Sequence, residues 1–140
     1  MSSETTRALV TRYLQSGHTD LSMMADDVVF TTMATGDEHA GLEAVRQMLH
    51  QVYHVAFDAH ADVRTLVFED SHAVLEATFV GRHTGEFAGV AATGREVRVP
   101  LCVVYDIADD KIARARIYFE VPAFLAQVGA APDAPAAMTT

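Results

Sequence analysis

The chain has 140 residues, half of them hydrophobic, and a net charge of −9 from 19 acidic and 10 basic side chains. This fits one domain with a real core and excludes a disordered chain; the charge argues against nucleic acid or an anionic membrane as partner. No apolar run reaches the roughly 20 residues of a membrane span, the polar N-terminus is not a secretory signal, and the single Cys102 forms no internal disulfide, so the cytoplasm is the expected location.

In chain order, residues 4–15 read as a helix capped by Ser3. Leu9, Val10, Tyr13 and Leu14 share its buried face, Thr6 and Arg7 face out, and Gly17 stops it. Asp20 to Met24 is expected to form a second short helix, which Asp26 and Asp27 break. Val28 to Met33 is β-branched and aromatic and reads as a strand. Thr35 to Gly41 reads as a loop. Leu42 to Tyr53 is the clearest helix, with Leu42, Val45, Met48, Leu49 and Val52 on one stripe and Arg46, His50 and His54 opposite.

The second half reads as long strands. Val63 to Phe68 and His72 to His83 flank a turn at Glu69–Ser71, and on the second of them Leu75, Phe79 and His83 share a face. Thr84 to Arg95 contains Gly85, Gly89 and Gly94 and reads as a loop. Glu96 to Ile107 alternates cleanly, with Pro100 pointing to an edge position or a bulge. Asp109-Asp110 makes a tight hairpin into Lys111–Phe119. Pro122 opens a short terminal helix that ends at Gly129. Residues 1–129 form the domain, and the Pro- and Ala-rich tail 130–140 is expected to be disordered. The plan is α+β: a bent antiparallel sheet wraps around helices and leaves an apolar pocket at its open end.

Glu120 is the first candidate for chemistry, a carboxylate at the end of an otherwise apolar strand. Alternation groups it with Arg114, Arg116 and Tyr118. Facing a pocket, it would have a raised pKa and act as a general base; paired with Arg116, it would stay ionised and structural. His83 could donate to an enolate from the core face, or simply bond a loop at the strand end. Tyr118, Arg116, Phe79, Phe30 and Tyr13 are the expected substrate-binding residues. His50 and His54, with His60 beyond, have zinc-like spacing but sit on a polar face, and no metal is expected. No phosphate loop is present, and Cys102 reads as a small buried hydrophobe.

These motifs resemble a known family. The run GRHTGEFAGVAATGREVRVP (81–100) is similar to a glycine- and histidine-containing segment of the SnoaL-like polyketide cyclases and ester cyclases, within the nuclear transport factor 2-like superfamily. DDKIARARIYFEVPAFLAQVG (109–129) resembles that family's ending, and FTTMATGDEHAGLEAVRQML (30–49) its strand, loop and helix. The resemblance covers roughly residues 5–129. It implies a cone-shaped, cystatin-like α+β barrel, a homodimer, and an intramolecular aldol condensation that uses no metal or cofactor. It puts Glu120 at the family's acid/base aspartate, one methylene longer. Asp106 falls where the family has a histidine, Arg116 where it has a tryptophan, and His83 matches its recurrent histidine.

The expected function is therefore acid/base chemistry on a small hydrophobic carbonyl compound, an aldol-type cyclisation or an isomerisation. The alternatives are a non-catalytic small-molecule binder and an oligomerising module of the same fold. An enzyme or a binder needs an open cavity; an interaction module would have a filled interior and a large exposed apolar face.

Overall fold

The structure, a computed structural model, describes residues 2–130. Helix α1 (Ser3–Gln15) is capped one residue earlier than expected: the Ser2 hydroxyl accepts from the Thr5 N–H at 3.1 Å. Thr6 does not face out. It is fully buried beside Val10 and Tyr13, and its hydroxyl donates to the Asp70 carbonyl at 2.7 Å, tying α1 to a strand turn. A threonine can join an apolar face when its one donor finds a buried acceptor, because the desolvation loss is then offset.

Residues 20–24 are not a helix. The Ser16 hydroxyl accepts from the backbone N–H of Asp20 at 3.1 Å, and Asp20 accepts from Ser22 N–H at 3.0 Å, so side chains hold a turn there. Strand β1 (Met24–Thr32) follows at once and carries Asp26 and Asp27 through an irregular stretch of its pairing. The stretch read as a loop contains β2 (Asp37–Ala40), paired antiparallel with β1.

Helix α2 (Leu42–His50) continues into a wider π-helical turn, Gln51–Ala56, before β3 (Phe57–Phe68). Arg46, His50 and His54 are exposed, as the periodicity requires. Strands β4 (His72–His83), β5 (Glu96–Ala108) and β6 (Lys111–Phe119) complete a six-stranded sheet of order β2-β1-β6-β5-β4-β3. Only the β1–β6 pairing is parallel. Asp109 and Asp110 both have positive φ, 52° and 60°, as a tight primed hairpin turn demands.

Pro100 lies in β5 between β4 and β6, neither at an edge nor in a bulge. Its carbonyl accepts from the Glu120 N–H at 3.2 Å, so its missing donor points to the same side. There β6 has ended, and the Glu120 carbonyl already serves the Ala123 and Phe124 N–H groups of helix α3 (Val121–Gln127). The ladder loses no bond, which is why a proline is tolerated in an inner strand. One turn on, the Gln127 side-chain amide exchanges two 2.7 Å hydrogen bonds with the Arg98 backbone and docks α3 on β5.

The core lies on the inner face of the sheet, under α1, α2 and α3. Phe57 is at one centre of it, with ring centroids of Phe79, Phe87 and Phe124 at 4.9, 5.0 and 5.5 Å. Among the described residues no helix is long and apolar enough to cross a membrane. The tail expected to be disordered lies, from residue 131 on, outside the described residues.

Candidate active site

Side chains alternate across a strand, so the parity of each position decides whether it meets the helices or the solvent. On β6 the inward positions are Ala115, Ile117 and Phe119. On β5 they are Leu101, Val103 and Tyr105, and on β4 Leu75 and Phe79. With Phe30 of β1, Tyr13 of α1 and the π-helical turn's Val52, Tyr53 and Ala56, most of these enclose a cavity of about 720 Å³. Tyr13, Phe30 and Phe79, three of the expected substrate-binding residues, are among its lining residues.

Glu120 does not line the cavity. It is exposed on the outer side of the sheet, at the N-terminus of α3, and its carboxylate makes no capping bond. Tyr118 is also outside, 46% exposed, and shares a shallow outer depression with Glu120, Cys102 and Arg64. Cys102 is half-buried there rather than in the core. The inward neighbours of Glu120 are Phe119 and Val121, which do line the cavity. A step of one residue along a strand thus separates the expected base from the pocket.

Arg116 does not pair with Glu120. Its guanidinium donates to both oxygens of Asp106, at 2.7 and 3.0 Å, across β5 and β6. The Arg116 hydrogen bond is the main reason the Asp106 carboxyl sits below its ordinary pKa, against a smaller opposing effect of partial burial. His72 extends this outer network, 3.5 Å from Asp106 and hydrogen-bonded to Glu69. Asp106 and Arg116, two of the positions where the chain departs from the family pattern, therefore answer each other on the solvent side.

His83 is fully buried but stands behind the cavity wall, against Phe57 and Phe124 at 5.4 and 5.0 Å. Its Nδ1 accepts from the Thr93 N–H at 3.3 Å and lies 3.0 Å from the Thr93 hydroxyl. Its Nε2 is buried and has no hydrogen-bond partner among the described residues. This is the strand-end, loop-holding arrangement: His83 secures the 84–95 loop, whose Phe87 reaches the cavity.

The residue that reading the sequence missed is His18. It follows Gly17 at the exit of α1, and both have positive φ, 67° and 66°. A left-handed conformation is uncommon for a side chain other than glycine and marks a position held by its surroundings. Here it turns the imidazole into the cavity, stacked on Tyr53 at 4.4 Å and edge-on to Tyr13 at 5.3 Å. Burial lowers the His18 pKa from 6.5 to about 4; the Gly17 backbone works against that shift and His54 adds slightly to it. At neutral pH His18 is an uncharged imidazole.

Three phenols line the same cavity. Tyr13, Tyr53 and Tyr105 all have raised pKa values, chiefly through burial, and stay protonated donors. The Tyr13 hydroxyl is buried and has no partner in the protein. The π-helical turn matters here, because it brings Val52, Tyr53 and Ala56 together to the cavity; such turns are frequent at functional sites. Among the described residues no group of three or more His, Cys, Asp or Glu could hold a metal ion. The one signal for His18 in the sequence was its place directly after a helix-stopping glycine.

The model of the SnoaL-like polyketide cyclase family matches residues 9–128. No curated protein sequence matches the chain. Solved structures that share the fold include the following. One, from Jannaschia sp. CCS1 and described as a SnoaL-like polyketide cyclase, has TM-score 0.81 and 19% identity over 93% of this chain and 95% of its own. TsrD from Streptomyces laurentii has TM-score 0.77 and 23% identity, covering 93% and 98%. A protein of ketosteroid isomerase-like fold from Catenulispora acidiphila, solved with trimethylamine, has TM-score 0.72 and 18% identity, covering 87% and 92%. With the family model spanning most of its length, a curved mixed sheet closed by three helices and a cavity between them, the chain belongs to the SnoaL-like polyketide cyclase family.

Proposed function

We propose that this protein is a cofactor-independent acid/base enzyme acting on a small, largely apolar carbonyl compound, with His18 rather than Glu120 as the proton-transfer group. The observation that carries this reading is the neutral His18 imidazole inside the apolar cavity, edge-on to the ring of Tyr13, whose hydroxyl is unpartnered. With a pKa of about 4, His18 has the basicity of an ordinary carboxylate, about 3.9–4.3. It is unprotonated at neutral pH and brings no buried charge.

In the proposed reaction a carbonyl oxygen accepts a hydrogen bond from the Tyr13 hydroxyl. His18 takes a proton from the adjacent carbon, and the C–H electrons move onto the oxygen as an enolate, which the Tyr13 donor stabilises. The enolate carbon then attacks a second carbonyl of the same molecule. The new alkoxide takes the proton back from His18, which closes the ring. Return of the proton to a different carbon instead gives isomerisation.

The test is deuterium exchange at the α-carbon of ketones and β-ketoesters, followed by NMR. Catalysed exchange in the parent, lost by at least about a hundredfold in His18→Gln and retained in Glu120→Gln, is the expected result. Loss in Glu120→Gln with full activity in His18→Gln would sink the assignment. A non-catalytic binder is the second reading. It is favoured by one observation: the carboxylates among the cavity-lining residues, Asp37 and Glu86, are both exposed and none is buried. Saturable binding without exchange would select it.

A further inference from the structure

The cavity is chemically lopsided. Its depth is phenol, imidazole and hydrocarbon, and its only full charges are the carboxylates of Asp37 and Glu86. No lysine or arginine lines it, and neither carboxylate is in an ion pair among the described residues. Both are carried on ordered supports. Asp37 opens β2 opposite Thr32 in the β1–β2 hairpin. The Glu86 carboxylate accepts from the Gly89 N–H at 2.8 Å, and the next residue, Phe87, packs on Phe57, Phe119 and Phe124. Among the other polar lining groups, the Tyr13 hydroxyl is fully buried and has no partner among the described residues.

We infer that the ligand is bipolar: a carbonyl group to meet Tyr13 and a basic amine, protonated at neutral pH, to meet Asp37 and Glu86. This rests on the reading of the cavity as a carbonyl-compound site and adds the substrate class. A neutral or anionic ligand gains no charge contact with these two solvent-accessible carboxylates. An ammonium group is attracted to them and to the net charge of −9, and aromatic walls tolerate it. His39, half-buried among the lining residues, is the other titratable group near Asp37.

Two nearly isosteric probes test this: 2-(dimethylamino)ethyl acetoacetate and 3-methylbutyl acetoacetate, which differ by an ammonium nitrogen in place of a CH. Calorimetric titration near neutral pH is expected to show the cationic ester binding about tenfold more tightly, the sum of two solvent-screened charge contacts. The preference shrinks in roughly 0.5 M salt, where screening is short-ranged. In Asp37→Asn/Glu86→Gln it falls to about one, with affinity for the neutral ester unchanged. Both positions are exposed; should the double variant fail to fold, the salt series on the parent and the two single variants decides. Equal binding of the two esters, or a preference that survives in the variants, overturns the inference. If the esters bind equally and both exchange their α-protons, only the amine preference falls. If neither binds, the carbonyl-site reading falls with it.

Discussion

The two faces of the sheet handle polar groups in opposite ways. Outside, Arg116, Asp106, His72 and Glu69 join in a network of ion pairs and hydrogen bonds. Inside, the Tyr13 hydroxyl has no partner and His18 rests on aromatic rings. The outer groups have water as an alternative partner, so their pairing adds little net energy. The inner groups have left water, and an unmatched donor in a low-dielectric cavity stays available to a ligand. The side we propose as functional is the one whose polar groups are left unanswered, although the outer side has more charge.

The largest expected effect tests whether the inner face is one cooperative unit. Phe57→Ala removes a fully buried ring that touches Phe79, Phe87 and Phe124, and is expected to cost about 3–5 kcal/mol in urea denaturation. A loss under about 1 kcal/mol would mean that the rings rearrange to fill the space.

His18 sharpens the comparison through pH. Its folded-state pKa of about 4 lies below the unfolded value of 6.5, so the unfolded chain takes up the proton first as pH falls. Its contribution is complete above the unfolded pKa. It is lost between about pH 6.5 and 4, by at most about 3 kcal/mol. His18→Gln is expected to lose correspondingly less stability than the parent over that window. Parallel stability–pH curves for the two proteins would show that His18 is not desolvated.

Tyr13→Phe separates function from stability. It deletes a buried hydroxyl without a partner, so stability is expected to hold or rise by up to about 1 kcal/mol, while exchange falls about ten- to a hundredfold. A clear destabilisation would reveal a hidden partner for the hydroxyl. On the outer face Asp106→Asn breaks the bidentate pair with Arg116 and is expected to cost about 1 kcal/mol or less, because both groups are partly solvated. It leaves ligand affinity unchanged. The smallest effect belongs to Glu120→Gln, with stability within about 0.5 kcal/mol of the parent and no change in exchange. Any large response there would break the division between the faces.

Much of the fold was legible as local pattern. The period of β4, β5 and β6, the stripe on α2, the Asp109-Asp110 turn and the Pro122–Gly129 helix all follow from residues within one element. The errors fall where the deciding partner is distant. Thr6 is inside because Asp70, 64 residues away, offers a carbonyl. Pro100 sits in an inner strand because β6 ends beside it.

Alternation placed Glu120, Tyr118 and Arg116 on one face and Phe119 and Ile117 on the other. It could not say which face meets the helices, since arginines next to apolar residues are consistent with either. The sequence by itself determined the family, through its motifs, and the α+β plan and strand periods, which depend on local propensity and hydrophobic spacing; of the apolar lining it singled out Tyr13, Phe30 and Phe79. The tertiary structure alone decided that Glu120 is outside, that Arg116 belongs to Asp106, and that His18 enters the cavity. Each of these depends on which surface the helices cover, and burial by distant segments lowers the pKa of an ordinary histidine after a glycine.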